Sequence, residues 1–115
     1  MTDSKFYEVY KYAQKENDFD KFVDEYAGDE NVSLFELEEI FKAAHRTMDD
    51  IYNHICGDKK MSKREVVLLL SKRYIIPVST MENWIYKKTN VPEYVFIMLQ
   101  ICEGLFYKNN PSNYF

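Results

Sequence analysis

The side chains able to do metal or acid–base chemistry are few and badly spaced for it. His45 and His54 lie nine residues apart, roughly opposite each other if they share a helix, and no Cys-x-x-Cys accompanies them. Tetrahedral zinc ligation is therefore not expected. Cys56 and Cys102 both fall in apolar helical patterns and read as reduced core residues of a cytosolic protein, not as a disulfide. Residues Glu25 to Glu36 approach the spacing of a calcium-binding loop, with Val32 at the apolar eighth place and Glu36 at the twelfth. The first and third places are Glu25 and Ala27, and the glycine needed at the sixth is Glu30. A helix start capped by Ser33 explains the same residues. The chain holds no Gly-rich phosphate loop, no nucleophile elbow and no cluster of His with acids. No catalytic residue, metal or cofactor is expected, and the sequence does not read as an enzyme.

Charge is more informative than any single residue. The total of −4 hides two unlike regions. Residues 1–57 carry fourteen acids and six bases, for −8, whereas residues 58–88 carry eight bases and three acids, for +5. The bases are Lys59, Lys60, Lys63, Arg64, Lys72, Arg73, Lys87 and Lys88. A basic segment behind an acidic one points to nucleic acid as a partner of the second part only.

Positioning these groups falls to helices. A chain of 115 residues with 46% hydrophobic and 17% aromatic side chains can afford a packed core. Three Gly and three Pro are too few for a turn-dense all-β sandwich. The most apolar stretch, 94–107, is short and interrupted by Gln100, Glu103 and Gly104, so no membrane span is expected. Nor does a basic-then-apolar leader open the chain, which predicts a cytoplasmic location.

Apolar residues recur at helical spacing over Phe6, Val9, Tyr10 and Ala13, after a possible cap at Ser4, and again over Phe19, Phe22, Val23 and Tyr26 up to Gly28. A longer stripe runs Leu37, Ile40, Phe41, Ala44, Met48, Ile51, Tyr52, Ile55 to Gly57. Unbroken, it predicts one helix over 33–56, about 24 residues or roughly 36 Å long. Ser33 with Glu36, Ser62 with Glu65 and Ser79 with Glu82 share the Ser-x-x-Glu signature of a capping box. They predict helix starts at 33, 62 and 79, the latter two helices running to 73 and 88. A last helix follows Pro92 to about 107, apolar almost all the way round, and the tail over 108–115 reads as loop. The expectation is an all-α protein of about six helices.

Two short capped helices joined through Ile75, Ile76 and Pro77 have the helix-turn-helix layout. Residues 61–99 resemble the lambda-repressor-like (Xre/Cro-type) DNA-binding domains, most nearly those of small phage and mobile-element proteins of Gram-positive bacteria. The matching elements are the Ser62-to-Glu65 helix start, the Ile76-Pro77 turn, the run Ser79-Thr80-Met81-Glu82-Asn83-Trp84, and Pro92-Glu93-Tyr94-Val95. The resemblance implies that helix 79–88 enters the major groove of duplex DNA. Met81, Trp84 and Ile85 would then pack inward, leaving Ser79, Thr80, Asn83 and Tyr86 to read bases, Asn83 by a bidentate contact to adenine. Lys63, Arg64, Lys72, Arg73, Lys87 and Lys88 would hold phosphates. Where the family often has Gly, in the turn and after the recognition helix, this chain has Ile75 and Lys87. A β-branched Ile resists positive φ, so an altered turn is expected.

Together these features predict an acidic N-terminal helical region, 1–57, and a helix-turn-helix module, 45–107, sharing the long helix, with the tail over 108–115. The function expected is a DNA-binding regulator of phage or mobile-element type in a bacterial cytoplasm. The apolar excess of the last helix predicts a homodimer. The alternative is a phage-encoded, anti-CRISPR-like inhibitor, in which Asp18, Asp20, Asp24, Glu25 and Tyr26 contact a basic nucleic-acid-binding protein.

Overall fold

The computed structural model describes residues 1–106, so the tail predicted over 108–115 lies outside the described residues. Among those residues the chain is all-helical and has no strand. Seven helices follow in order: α1 (Asp3–Lys15), α2 (Phe19–Glu25), α3 (Leu34–Ala44), α4 (Met48–Cys56), α5 (Lys63–Tyr74), α6 (Val78–Ile85) and α7 (Glu93–Cys102).

The seventh helix arises because the expected long helix is broken. α3 ends at Ala44, and the amides of His45 and Arg46 turn back to Lys42 and Ala43. Thr47 is extended, and the Asp50 carboxylate accepts from its backbone amide at 2.7 Å to start α4. Thr-x-x-Asp here does the work of Ser-x-x-Glu with a shorter acidic arm. The apolar stripe continues across the break, which is why periodicity alone cannot reveal it. The chain divides into two compact units at this point: residues 1–46 with Phe106, and Thr47–Leu105. The acidic region and the basic one share no helix.

The first unit is built on rings. α1 and α2 pack on α3, burying Val9, Tyr10, Ala13, Phe22, Leu37, Ile40 and Ala43. Phe22 lies 5.4 Å from Phe41, 5.6 Å from Tyr26 and 6.1 Å from Tyr12, centroid to centroid. Phe6 stacks on Tyr10 and on Phe106, at 6.0 and 5.9 Å. α1 is capped by Thr2, two residues before the expected Ser4, because the Thr2 hydroxyl accepts from the Lys5 amide at 3.1 Å.

The second unit is aliphatic. Met48, Ile51, Val66, Val67, Leu70, Met81, Ile85, Val95 and Leu99 form its core, each contributing about 1.5–3 kcal/mol over an exposed position before chain entropy is counted. Its last three helices end alike. A left-handed residue, Ile75, Lys87 or Gly104, lets the next amide return to a carbonyl five residues back. These bonds are Ile76 to Ser71, Lys88 to Asn83 and Leu105 to Gln100, at 3.1, 2.8 and 2.8 Å. Ile75 itself takes the left-handed conformation, φ 54° and ψ 46°, despite its branched Cβ. α7 stops at Cys102, short of the expected 107, because Gly104 closes it.

Cys56 and Cys102 are both free, but Cys102 is exposed and not a core residue. No helix among the described residues is long and apolar enough to cross a membrane.

Candidate nucleic-acid interface

α6 starts after an extended Pro77, not at Ser79, so its first residue is Val78 and it ends at Ile85. This shift alters the roles of three residues. Ser79 and Thr80 lie inside the first turn and cap nothing, and Glu82 is not the partner of a capping serine. Contrast Ser33 and Ser62, whose amides donate to the carboxylates of Glu36 and Glu65 at 3.1 and 3.3 Å. Met81 and Ile85 are buried as expected, while Trp84 is only half-buried and lines a shallow groove of about 240 Å³ with Thr47, Met48, Lys87 and Val91.

Ser79, Glu82, Asn83 and Tyr86 follow each other at i, i+3, i+4 and i+7, one face of the helix. Ser79 and Tyr86 are exposed, and Glu82 and Asn83 are partly so. Thr80 lies to the side of this stripe and is half-buried. The first turn of α5 reaches the stripe with both of its cations. The Lys63 ammonium sits 5.4 Å from the centroid of the Tyr86 ring, and Arg64 donates to Glu82 at 3.0 Å. Three α6 residues, its C-cap Tyr86 and two α5 cations therefore meet on one surface.

The remaining cations are elsewhere. Arg73, in the last turn of α5, donates to both carboxylate oxygens of Glu103, at 2.5 and 2.6 Å. The Glu103 side chain is only 5% exposed, and the Tyr74 hydroxyl donates to it as well. Burial, then this hydrogen bond, pushes the Tyr74 phenol well above its ordinary value. His54 donates through Nε2 to the Glu103 carbonyl at 2.7 Å. Arg73 is thus tied to the end of α7, a duty its basic surroundings in the sequence do not reveal. Lys87 is paired with Asp49 at the start of α4. Lys72 and Lys88 are exposed and meet no acid among the described residues.

Among the acids of the first unit, Asp18 caps α2, accepting from the amides of Asp20 and Lys21 at 3.0 and 3.3 Å. Asp20, Asp24 and Glu25 are exposed. Tyr26 is buried against the rings of Tyr12 and Phe22. His45 donates through Nε2 to the carbonyls of Ala13 and Glu16, at 2.8 and 3.0 Å, closing the end of α1. Each histidine thus ends a helix, and no group of three potential metal ligands exists among the described residues.

Compared with family models, curated proteins and solved structures, the chain matches none of them.

Proposed function

We propose that the second unit is a helix-turn-helix reader of duplex DNA and that the protein is a transcriptional regulator of phage or mobile-element type. One observation carries this reading: the outward stripe of α6 holds polar, base-sized side chains and is flanked by Lys63 and Arg64 from α5. An amide, a hydroxyl and a phenol on one exposed helix face can hydrogen-bond base edges, and cations beside them hold phosphates. Asn83 is assigned the bidentate contact to adenine, and Lys63, Lys72 and Lys88 the phosphate contacts. α7 turns Tyr94, 75% exposed, and Met98 outward, and this apolar face is assigned to a second copy. A dimer of this kind reads two half-sites about 34 Å apart.

The test is binding to duplexes selected from a random pool, followed against salt concentration. Asn83→Ala should cost about 1–3 kcal/mol on the selected site and relax one base pair. Lys88→Ala should weaken all duplexes alike and reduce the salt slope by about one. Absence of duplex binding at low salt overturns the proposal. The second reading, an anti-CRISPR-like inhibitor, draws support from the exposed Asp20, Asp24 and Glu25. It predicts that reversing these to Lys abolishes activity through a slower association with a basic protein partner, with DNA binding retained.

A further inference from the structure

Glu82 is out of place in a surface meant for DNA, since a bare carboxylate facing phosphates is repelled. Its sequence neighbourhood gives it a role it does not have: because α6 begins at Val78, the Ser79–Glu82 pair makes no capping box. Its carboxylate is instead on the outward stripe beside Asn83, 37% exposed, with Arg64 donating to it at 3.0 Å. The pair is neutral overall, and it presents an acceptor and a set of donors side by side.

A C·G base pair shows the complementary pattern in the major groove. The cytosine N4 amino group is a donor, and next to it the guanine O6 and N7 are acceptors. A carboxylate accepts from N4, and a guanidinium donates to O6 and N7. A·T and T·A pairs give the carboxylate an amino group only on adenine, and they give Arg64 no doubled acceptor. Resting on the reading of α6 as the recognition helix, we infer that Arg64 and Glu82 act as one unit that specifies a C·G pair next to the base read by Asn83. The unit is assembled from two helices, so it exists only when α5 and α6 are packed.

The test uses the full chain and a duplex pool randomised over the site. Wild-type protein should enrich C·G at one position adjacent to the adenine contacted through Asn83. Glu82→Gln replaces the carboxylate by an amide suited to adenine, and should shift the preference at that position from C·G towards A·T by about tenfold or more. Arg64→Lys keeps the charge but loses the fork, and should reduce discrimination at the same position while leaving the salt slope unchanged. Both side chains are substantially exposed, so melting temperatures should stay within a few degrees of wild type and the readout reports the interface, not the fold. If Asn83→Ala relaxes one position and Glu82→Gln relaxes none, the paired readout is wrong and the recognition helix stands. If the wild type enriches no sequence, both fall.

Discussion

The two units solve the same problem, burying one side of short helices, with different chemistry. Residues 1–46 carry twelve acids and six bases over a core of packed aromatic rings around Phe22. Residues 47–105 carry seven acids and eight bases over an aliphatic core. The second unit is far less basic than its +5 stretch suggests, because Asp49 and Glu103, outside that stretch, come back to Lys87 and Arg73. Charge summed along a chain overstates the field a surface offers when the fold brings acids and bases together. If the second unit binds DNA as proposed, the cations that meet no acid among the described residues, Lys72 and Lys88 among them, can release counterions from a duplex at no cost to a native pair.

The largest effect is expected at Phe22. This ring is fully buried among Tyr12, Phe19, Tyr26 and Phe41. Phe22→Ala should destabilise the first unit by about 3–5 kcal/mol, seen in denaturant unfolding as a lower midpoint. A loss under about 1 kcal/mol would mean that the rings do not hold this unit together.

Next in size is Arg73→Ala. It strands a buried carboxylate that keeps only Tyr74, and should cost on the order of 2 kcal/mol, less than the ~3–5 of a wholly buried pair because Arg73 itself is half exposed. Lys72→Ala, one residue away, should leave stability unchanged and instead lower the salt slope of DNA binding by about one. Equal behaviour of the two variants would erase the distinction between paired and free cations.

Ile75→Gly acts in the opposite direction. Ile75 is 91% exposed and held at φ 54°, so its side chain gains nothing from packing and strains the backbone. The left-handed region costs a residue with a Cβ about 1–2 kcal/mol, partly offset by the greater freedom of glycine when unfolded. A net gain of about 0.5–1 kcal/mol is expected, a rise of a few degrees in Tm. A fall in Tm would show that the isoleucine makes a contact of its own.

The smallest effect is one of pH. In the first unit, Asp29 is held below its ordinary 3.8, first by the hydrogen bond from Lys5, then by one from the Asn31 amide. The Lys5 to Asp29 distance is 2.9 Å. Unfolded chains bind the proton more readily, so this carboxylate stabilises the fold above 3.8, and its contribution disappears as pH falls through the depressed folded value. Asp29→Asn should flatten the acid limb of stability against pH and leave the remainder parallel. An unchanged acid limb would remove Asp29 from the account.

Much of this was legible beforehand for physical reasons. Ser33 and Ser62 sit where the apolar stripe begins, and there the local signal and the helix start coincide. Ser79 has the same signature, but Pro77 two residues earlier offers a preset φ for entering a helix, and the start moves to Val78. At Thr47 the stripe overrides the eye: Ala44, Met48 and Ile51 keep their spacing through a break made by a backbone-to-carboxylate bond. The exposed stripe of α6 was partly visible, since Ser79, Asn83 and Tyr86 are polar at helical spacing. Glu82 was hidden because its spacing from Ser79 had a more familiar explanation.

The sequence alone determined the helical class, the segregation of charge and the apolar face of most helices, because these depend on spacing within a few residues and on composition. Only the tertiary structure decided which charges are spent. Arg64 meets Glu82, Arg73 meets Glu103 and Lys87 meets Asp49 across 18, 30 and 38 residues. It also decided that Ile75 and Lys87 would take the left-handed places. Long-range pairs and helix-closing strain depend on how packed helices bring their ends together, and no local pattern along the chain encodes that distance.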